Sequence, residues 1–175
     1  IGGLTVAAAL HHYVPVIDIT YVADTAFFPY GGREPGEVAG RARILASMLV
    51  EGGADALVVA CNTASSAALE LLRAEFSIPI IGMEPPLKPA VEATVSGVVA
   101  VLATPGTVSG ERLARLHDRF ANGRQVFTLP MPDLADLVEA GEVEGDRVER
   151  MLRTALDEPL RAGADAVALG CTHYG

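Results

Sequence analysis

Short apolar runs rich in β-branched residues alternate along this chain with longer segments that have the period of amphipathic helices. The strands predicted from the short runs are Val16–Ala23, Ala56–Ala60, Ile78–Gly82, Val98–Ala103, Gln125–Leu129 and Ala166–Gly170. The predicted helices are Leu4–His12, Glu37–Gly52, Ser65–Phe76, Pro86–Thr94, Ser109–Ala121, Asp133–Ala140 and Asp146–Ala162, the last of which Pro159 should kink or end. Nearly all-apolar strands separated by helices indicate mostly parallel sheets flanked by helices, so the predicted fold class is α/β. Sheets of this kind bind ligands at the carboxyl ends of their strands.

The composition narrows the classes of partner. Half of the 175 residues are apolar, and the formal net charge is −9. A chain this acidic is repelled by phosphates, so no nucleic-acid partner is expected. No apolar run approaches the roughly 18–20 residues that span a bilayer, and the first residues lack the basic segment of a signal peptide. We therefore expect no membrane partner and a cytoplasmic location.

Cysteine, histidine and lysine usage bears on cofactors. The two cysteines are too few for a disulfide framework, and no CxxC, HxxxH or HExxH spacing is present, so no metal site is predicted. Lys88 is the only lysine, and hence the only residue on which pyridoxal phosphate could form a Schiff base. It lies between prolines at a predicted helix start, and we do not assign it that role. No cofactor is expected.

Two segments of the chain are near copies of each other. Gly53 begins GADALVVACNT and Gly163 begins GADAVALGCTH, which places Cys61 and Cys171 at the same position in each copy. Turns in α/β proteins favour Gly, Ala and Asp, so GADA alone could recur by chance, but chance does not account for the matching cysteines. We interpret the repeat as two pseudo-symmetric lobes that face each other across a cleft. The expected lobes are residues 1–92, which carry Cys61, and residues 93–175, which carry Cys171.

Two thiols on opposite sides of a small ligand suit the inversion of a stereocentre. Inversion by proton transfer needs a base on one face and an acid on the other, because a single base tends to return the proton to the face that it came from. The ordinary pKa of cysteine, about 8.5, lies near working pH, so thiolate and thiol can coexist. Cys61 precedes a predicted helix, whose N-terminus favours a thiolate, and His173 can exchange a proton with Cys171. Free cysteines are more often inert core residues, but two in matching loops favour catalysis.

Two further loops that follow predicted strands fit an acidic ligand. The loop from Asp24 ends in Tyr30, Gly31 and Gly32, where backbone N–H groups can donate to an anion. The loop that begins at Thr104 leads into a predicted helix and is a second candidate anion site. Taken singly, each loop is better explained as an ordinary turn and helix cap. Only their convergence on the same sheet edge favours ligand binding.

Several motifs together carry a resemblance to a known family. They are GGLTV from Gly2, ADTAFFPYG from Ala23, ACNTAS from Ala60, IIGMEPPLKPA from Ile80, LATPGTVSG from Leu102, DLVEAG from Asp136 and LGCTHY from Leu169. In this order, across essentially the whole chain, they resemble the glutamate racemases of the aspartate/glutamate racemase superfamily. The resemblance implies two α/β lobes with the active site in the cleft between them, no cofactor, and interconversion of L- and D-glutamate for peptidoglycan synthesis.

The resemblance also implies roles for individual residues. Cys61 and Cys171 match the two proton donors and acceptors. His173 matches a residue that assists Cys171, and Glu139 matches a further acid/base helper. The implied substrate contacts are Tyr30, Gly31, Asn62, Thr63, Thr104, Thr172 and His173. His173 favours glutamate as substrate, since aspartate racemases resemble CTE rather than CTH at this place. Family members are often homodimers, so a homodimer is expected by analogy.

The sequence departs from the family pattern at its two ends. The family has Asp-Ser-Gly directly before the position of Ile1 or Gly2, where the Asp is expected to assist the first cysteine and the Ser to contact substrate. Further helices usually follow the position of Gly175, so the sequence is expected to be a fragment. Three alternatives stay open: a racemase of another carbon acid such as aspartate or hydantoin, a catalytically impaired ligand-binding fragment, and a redox role through a Cys61–Cys171 disulfide.

Overall fold

The computed structural model describes residues 1–175 and contains eight helices and five strands. The helices are α1 (Gly2–Tyr13), α2 (Pro35–Glu51), α3 (Asn62–Glu75), α4 (Leu87–Ala93), α5 (Pro105–Val108), α6 (Glu111–Phe120), α7 (Leu134–Glu139) and α8 (Asp146–Arg161). The strands are β1 (Leu57–Val59), β2 (Ile80–Gly82), β3 (Val98–Ala103), β4 (Gln125–Pro130) and β5 (Ala166–Leu169). No helix combines the length and the hydrophobicity needed to cross a bilayer.

Every predicted helix and five of the six predicted strands are confirmed, with ends that differ by a few residues. Helix α3 begins earlier than predicted because Cys61 is its N-cap residue. The short helix α5 was not predicted; the Thr104 side chain caps it by accepting from the Thr107 N–H. Pro159 does not end α8, which continues to Arg161, and the proline side chain is fully buried. Its burial offsets the backbone hydrogen bond that a proline cannot make.

The prediction of a strand at Val16–Ala23 is wrong. The segment is irregular, and it pairs with neither sheet of the structure. Its side chains point largely to solvent, and Val16 is 91% exposed. An extended run becomes a strand only where a neighbouring strand accepts its backbone hydrogen bonds. The segment has the apolar pattern of a strand, but it has no neighbouring strand to pair with.

The strands form two separate parallel sheets. Strands β1 and β2 pair with Leu57 opposite Ile80, and the second sheet has the order β4-β3-β5. These parallel sheets with flanking helices confirm the predicted α/β class. The expected boundary between residues 92 and 93 falls within α4, whose Leu87 and Val91 pack into the core of the second sheet. The division of the chain into lobes at that point stays a prediction.

Strand β3 is the centre of the larger core. All six of its residues are buried. Val99 and Val101 pack with Leu113 of α6, whereas Leu102 packs with Leu137 of α7 on the other face. Burial on both faces explains why this strand is uninterruptedly apolar in sequence.

The sequence repeat is also a repeat of local structure. Gly53 and Gly163 both have a φ of +90° and follow the last turn of α2 and α8 respectively. The next residues, Ala54 and Ala164, donate to carbonyl oxygens five residues earlier in the two helices. Only glycine adopts this φ without strain, so each copy turns the chain from a helix into a strand in the same way. The shared turn sets the direction of β1 and β5, and therefore the positions of the cysteines that follow these strands.

Leu69 and Leu71 provide a test of the smaller core. Leu69 is 1% exposed beneath the first sheet, whereas Leu71 on the same helix is 43% exposed. We expect Leu69→Ala to lower the free energy of unfolding by about 2–5 kcal/mol, because it leaves a cavity. Leu71→Ala, the matched control, should change it by less than about 1 kcal/mol. Urea denaturation followed by circular dichroism measures both, and equal losses would contradict the core described above.

Candidate active site

The loops that carry the two cysteines lie side by side. Cys61 follows β1 and Cys171 follows β5. The hydroxyl of Thr172 donates to the carbonyl oxygen of Ala60 across 3.2 Å, so the neighbours of the two cysteines are bonded to each other. The carboxyl ends of strands from two separate sheets therefore meet at one place. Both cysteines are free and partly exposed.

Cys61 occupies the N-cap position of α3. Its backbone is extended, and its sulfur accepts a hydrogen bond from the Ala64 N–H at 3.5 Å. Burial raises the pKa of Cys61, and hydrogen bonds from Ala64 and from the backbone and hydroxyl of Thr63 oppose that rise. The helix N-terminus adds unpaired N–H groups and the positive end of the helix dipole. The position thus keeps the thiol protonated at neutral pH and stabilises the thiolate once it forms.

Cys171 is held mainly as a thiol. Burial raises its pKa to about 11, against the lowering effect of a hydrogen bond from the His173 backbone. A negative charge on Cys61 raises the pKa of Cys171 further, so the two sulfurs are close enough for their charges to interact. Two groups coupled in this way disfavour the state with two thiolates. The coupling therefore allows at most one of the two sulfurs to be ionised at a time.

The imidazole of His173 lies between a thiol and a carboxylate. Its Nδ1 is 3.9 Å from the Cys171 sulfur, and its Nε2 is 3.0 Å from a carboxylate oxygen of Glu139. The ordinary pKa of a glutamate side chain is about 4.3, so the Glu139 carboxylate is charged at neutral pH. A charged carboxylate favours the imidazole proton on Nε2, which leaves the Nδ1 lone pair facing the sulfur. His173 can therefore accept a proton from Cys171.

A buried cluster of three hydroxyl groups lies beside Cys61. Thr63 Oγ1 is 2.7 Å from Thr104 Oγ1 and 3.3 Å from Thr107 Oγ1. Thr104 in turn donates to Thr107 across 3.0 Å. Thr63 belongs to α3, whereas Thr104 and Thr107 follow the central strand of the other sheet. The cluster therefore ties the two sheets together next to the sulfur.

Several polar groups at this place have no partner within the chain. Asn62 is 6% exposed, and its side-chain amide takes part in none of the hydrogen bonds of the structure. The N–H groups of Gly31 and Gly32 are also free, although the Gly31 carbonyl accepts from Gly106 at 2.8 Å. Free N–H and amide groups that gather beside strand ends can bind a polar ligand, so these groups are candidates for substrate binding.

The predicted site residues form one continuous set of contacts. Glu139, His173 and Cys171 are joined in sequence, and Thr172 connects them to the Cys61 loop. Thr63 links that loop to Thr104, against which Gly31 packs closely. Tyr30 is near enough to Cys61 for the thiolate charge to raise the pKa of the phenol, after the larger effects of burial and Asp24.

Sequence reasoning missed three groups at this site. Gly2 packs so closely that a Cβ there would lie 2.6 Å from Thr172 Oγ1. Thr107 completes the hydroxyl cluster, and the repeated Thr of the TPGT segment was the signal for it. Asp24 binds the Tyr30 hydroxyl at 2.6 Å, which only the folded loop reveals.

Metal-binding groups and cavities away from the cysteines are the other places where a ligand could bind. No group of three or more His, Cys, Asp or Glu side chains is arranged to hold a metal ion. A cavity of about 610 Å³ lies between α3 and α6, lined by charged residues that include Arg73 and Arg112. It contains none of the predicted site residues. The perturbed cysteines and unpartnered amides, rather than this cavity, define the candidate active site.

Comparisons with known proteins agree with this geometry. A family model described as Asp/Glu/Hydantoin racemase matches residues 5–175. The chain is 45% identical to a glutamate racemase of Pseudomonas putida, covering 99% of this chain and 66% of that protein. It is 44% identical to a glutamate racemase of Herpetosiphon aurantiacus, covering 99% of this chain and 68% of that protein.

Solved structures give the same result. The crystal structure of Escherichia coli glutamate racemase with L-glutamate and the activator UDP-MurNAc-ala matches with a TM-score of 0.86 and 35% identity, over 99% of this chain and 66% of that one. A glutamate racemase isoform from Bacillus anthracis matches with a TM-score of 0.87 and 34% identity, with the same coverage. The two lobes, the parallel sheets and the pair of cysteine loops define a racemase fold. The chain belongs to the Asp/Glu/Hydantoin racemase family, and it spans about two thirds of the length of these relatives.

The hydroxyl of Thr63 provides a test of how Cys61 is ionised. Thr63→Val removes a hydrogen bond that lowers the pKa of Cys61, so that pKa should rise and the thiolate fraction at a given pH should fall. We expect alkylation of Cys61 in the folded protein by iodoacetamide at pH 8 to slow by roughly three- to tenfold. The extent of alkylation is measured after digestion, by mass spectrometry of the peptide that contains Cys61. Alkylation of Cys171 in the same sample is the control and should not slow, because a smaller charge on Cys61 does not raise the pKa of Cys171. An unaltered Cys61 rate would show that the hydroxyl does not stabilise the thiolate.

Proposed function

We propose that this chain carries the catalytic centre of a glutamate racemase, which interconverts L- and D-glutamate by proton transfer between Cys61 and Cys171 without a cofactor. The observation that carries the proposal is the contact between the cysteine loops, in which Thr172 donates to the carbonyl of Ala60. It brings together two cysteines whose thiolate charges repel each other, so that at most one of them is ionised at a time. One thiol and one thiolate are the starting state that a two-base inversion needs.

The proton transfers balance without any other reactant. The thiolate of one cysteine takes the proton from Cα, and the electron pair of the C–H bond is left as a carbanion delocalised into the α-carboxylate. The thiol of the other cysteine then donates its proton to the opposite face of Cα. One sulfur has gained a proton and the other has lost one, so substrate of the opposite hand reacts with the roles exchanged.

His173 and Glu139 support the ionisation of Cys171. Because the Nδ1 of His173 faces the sulfur, this imidazole can accept the thiol proton and return it. The Glu139 carboxylate stabilises the imidazolium that forms. The pair offsets the burial that holds the pKa of Cys171 near 11. We propose catalytic roles for both cysteines and for His173, with Glu139 acting through the imidazole.

The unpartnered groups around the sulfurs suit a substrate with two carboxylates. The N–H groups of Gly31 and Gly32 and the Asn62 amide have no partner within the chain, and the hydroxyls of Thr63 and Thr104, which are bonded to each other, are proposed to turn toward the substrate when it binds. Tyr30 contributes through its backbone, because its hydroxyl is already bound to Asp24. Thr172 and His173 complete the set of proposed substrate contacts.

The relatives suggest the substrate and its use. Those named above are glutamate racemases, and the Escherichia coli structure contains L-glutamate. We propose that D-glutamate made here supplies peptidoglycan synthesis, which places the protein in the cytoplasm. A homodimer, with no nucleic-acid or membrane partner, also belongs to this proposal. Sedimentation velocity of the purified chain tests the dimer directly.

Exchange of the substrate α-proton tests the reaction itself. In D₂O, we expect the 175-residue chain to replace the α-proton of both L- and D-glutamate with deuterium. Proton NMR measures this exchange as the loss of the α-proton signal. Cys61→Ala and Cys171→Ala should each reduce racemisation by at least about 10³-fold, because each removes one of the two acid/base groups. Since the pKa values of both thiols are raised, the rate should increase with pH between 7 and 9.

A panel of substrates separates this proposal from its alternatives. Glutamate binding without α-exchange in the unmutated chain would contradict catalysis and favour a ligand-binding role. Exchange on aspartate or a hydantoin, but not on glutamate, would overturn the substrate while leaving the two-base chemistry. Retention of racemisation after either cysteine is replaced would overturn the chemistry itself.

A further inference from the structure

A partly buried ion pair organises the loop that precedes α2. The carboxylate of Asp24, 8% exposed, accepts from Arg41 Nε at 2.7 Å and from Arg41 Nη2 at 2.6 Å. The same carboxylate accepts the Tyr30 hydroxyl at 2.6 Å. One carboxylate thus binds a helix residue and a loop residue with three charge-assisted hydrogen bonds, which are stronger than neutral ones.

Aromatic contacts support the same loop. The guanidinium of Arg33 lies 3.8 Å from the centre of the Phe27 ring, and its Nε donates to the Phe27 carbonyl at 3.0 Å. Phe27 and Tyr30 pack edge to face, with ring centres 5.7 Å apart. The ring of Tyr30 is therefore fixed both through its hydroxyl and along its edge.

The far side of this loop faces the second sheet. The Gly31 carbonyl accepts from the Gly106 N–H at 2.8 Å, and Gly31 packs so closely on Thr104 that a Cβ there would lie 2.8 Å from its side chain. Phe28 lies against His173, with ring centres 5.6 Å apart. The loop therefore touches groups on both sides of the candidate active site, and it also carries the free N–H groups of Gly31 and Gly32.

We infer that Asp24 and Arg41 are positioning residues for substrate binding: they hold Tyr30, and through it the N–H groups of Gly31 and Gly32, where they can bind a substrate carboxylate. The inference rests on the proposed function. Neither side chain contacts a sulfur or a free donor of the site. Their effect is therefore on the strength of substrate binding rather than on proton transfer.

The charges around Asp24 make the pair essential to the loop. Hydrogen bonds from Arg41 and then Tyr30 hold the pKa of Asp24 below its usual range. Loss of the carboxylate charge weakens the hydrogen bonds from Tyr30 and Arg41, because a neutral amide in its place offers one acceptor oxygen to donors that now use two. Tyr30 and Gly31 are consecutive residues, so a change in the backbone of Tyr30 moves the Gly31 N–H directly.

Kinetics of four variants test the inference. We expect Asp24→Asn and Arg41→Met each to raise KM for L-glutamate by roughly tenfold, with kcat changed less than about threefold. Arg41→Lys keeps the charge but not the paired donors, so its KM should be intermediate. Arg43→Met is the matched control. Arg43 is also on α2, but it forms an ion pair with Glu75 of α3, away from the loop, so the KM of this variant should be unchanged.

A double-mutant cycle isolates the contact with Tyr30. Tyr30→Phe removes only the hydroxyl, and its effect on KM should be much smaller in the Asp24→Asn background than alone. Three results would overturn the inference. The first is that the effects of Tyr30→Phe and Asp24→Asn on KM simply multiply in the double variant. The others are equal effects of Arg41→Met and Arg43→Met on KM, and a fall in kcat with KM unchanged. Circular dichroism and melting temperature identify any variant that fails to fold, and Tyr30→Phe then decides the question.

Binding measurements separate this inference from the proposed reaction. If the unmutated chain shows no α-exchange, the reaction proposal fails, and calorimetric Kd values for L-glutamate in the same variants replace KM. A tenfold weaker Kd in Asp24→Asn, with Arg43→Met unaffected, would support the positioning role even then. A chain that binds no glutamate would overturn both proposals.

Discussion

The hydrogen bond from Thr172 to the Ala60 carbonyl joins the two halves of the candidate site. Each parallel sheet by itself presents one cysteine at a strand end, and neither sheet shares a ladder with the other. The chemistry proposed here needs both sulfurs against one carbon atom. The contacts that hold the strand ends together, including the Gly106–Gly31 bond and the threonine cluster, are therefore as important as the cysteines.

The environment of the two thiols is similar in principle and different in detail. Burial raises both pKa values, and hydrogen bonds oppose the rise in each case. For Cys61 the opposing donors come from the first turn of a helix, whereas for Cys171 they are the backbone N–H of His173 and the side chain of Tyr174. The two thiolates are therefore stabilised by donors of different origin, a helix N-terminus in one case and a loop in the other.

The loop from Asp24 to Arg33 connects the outer layer of helices to the site. Its ends are fixed by arginines of the loop and of α2, and its middle touches the strand ends of the other sheet. Substrate affinity can therefore depend on residues that contact no substrate. Rigid support of this kind is how loops of α/β proteins hold binding groups in place.

The sequence by itself determined the α/β class, nearly all of the elements and the identity of the paired cysteines, because these follow from local periodicity and from a repeat that recurs as the same turn at Gly53 and Gly163. It failed at Val16–Ala23, where an apolar run has no neighbouring strand to pair with. The tertiary structure alone decided that Thr172 reaches Ala60, that Thr107 completes the hydroxyl cluster and that Asp24 joins Arg41 to Tyr30. Such contacts connect residues far apart in the chain, and no local pattern records them, because they depend on how helices and sheets pack.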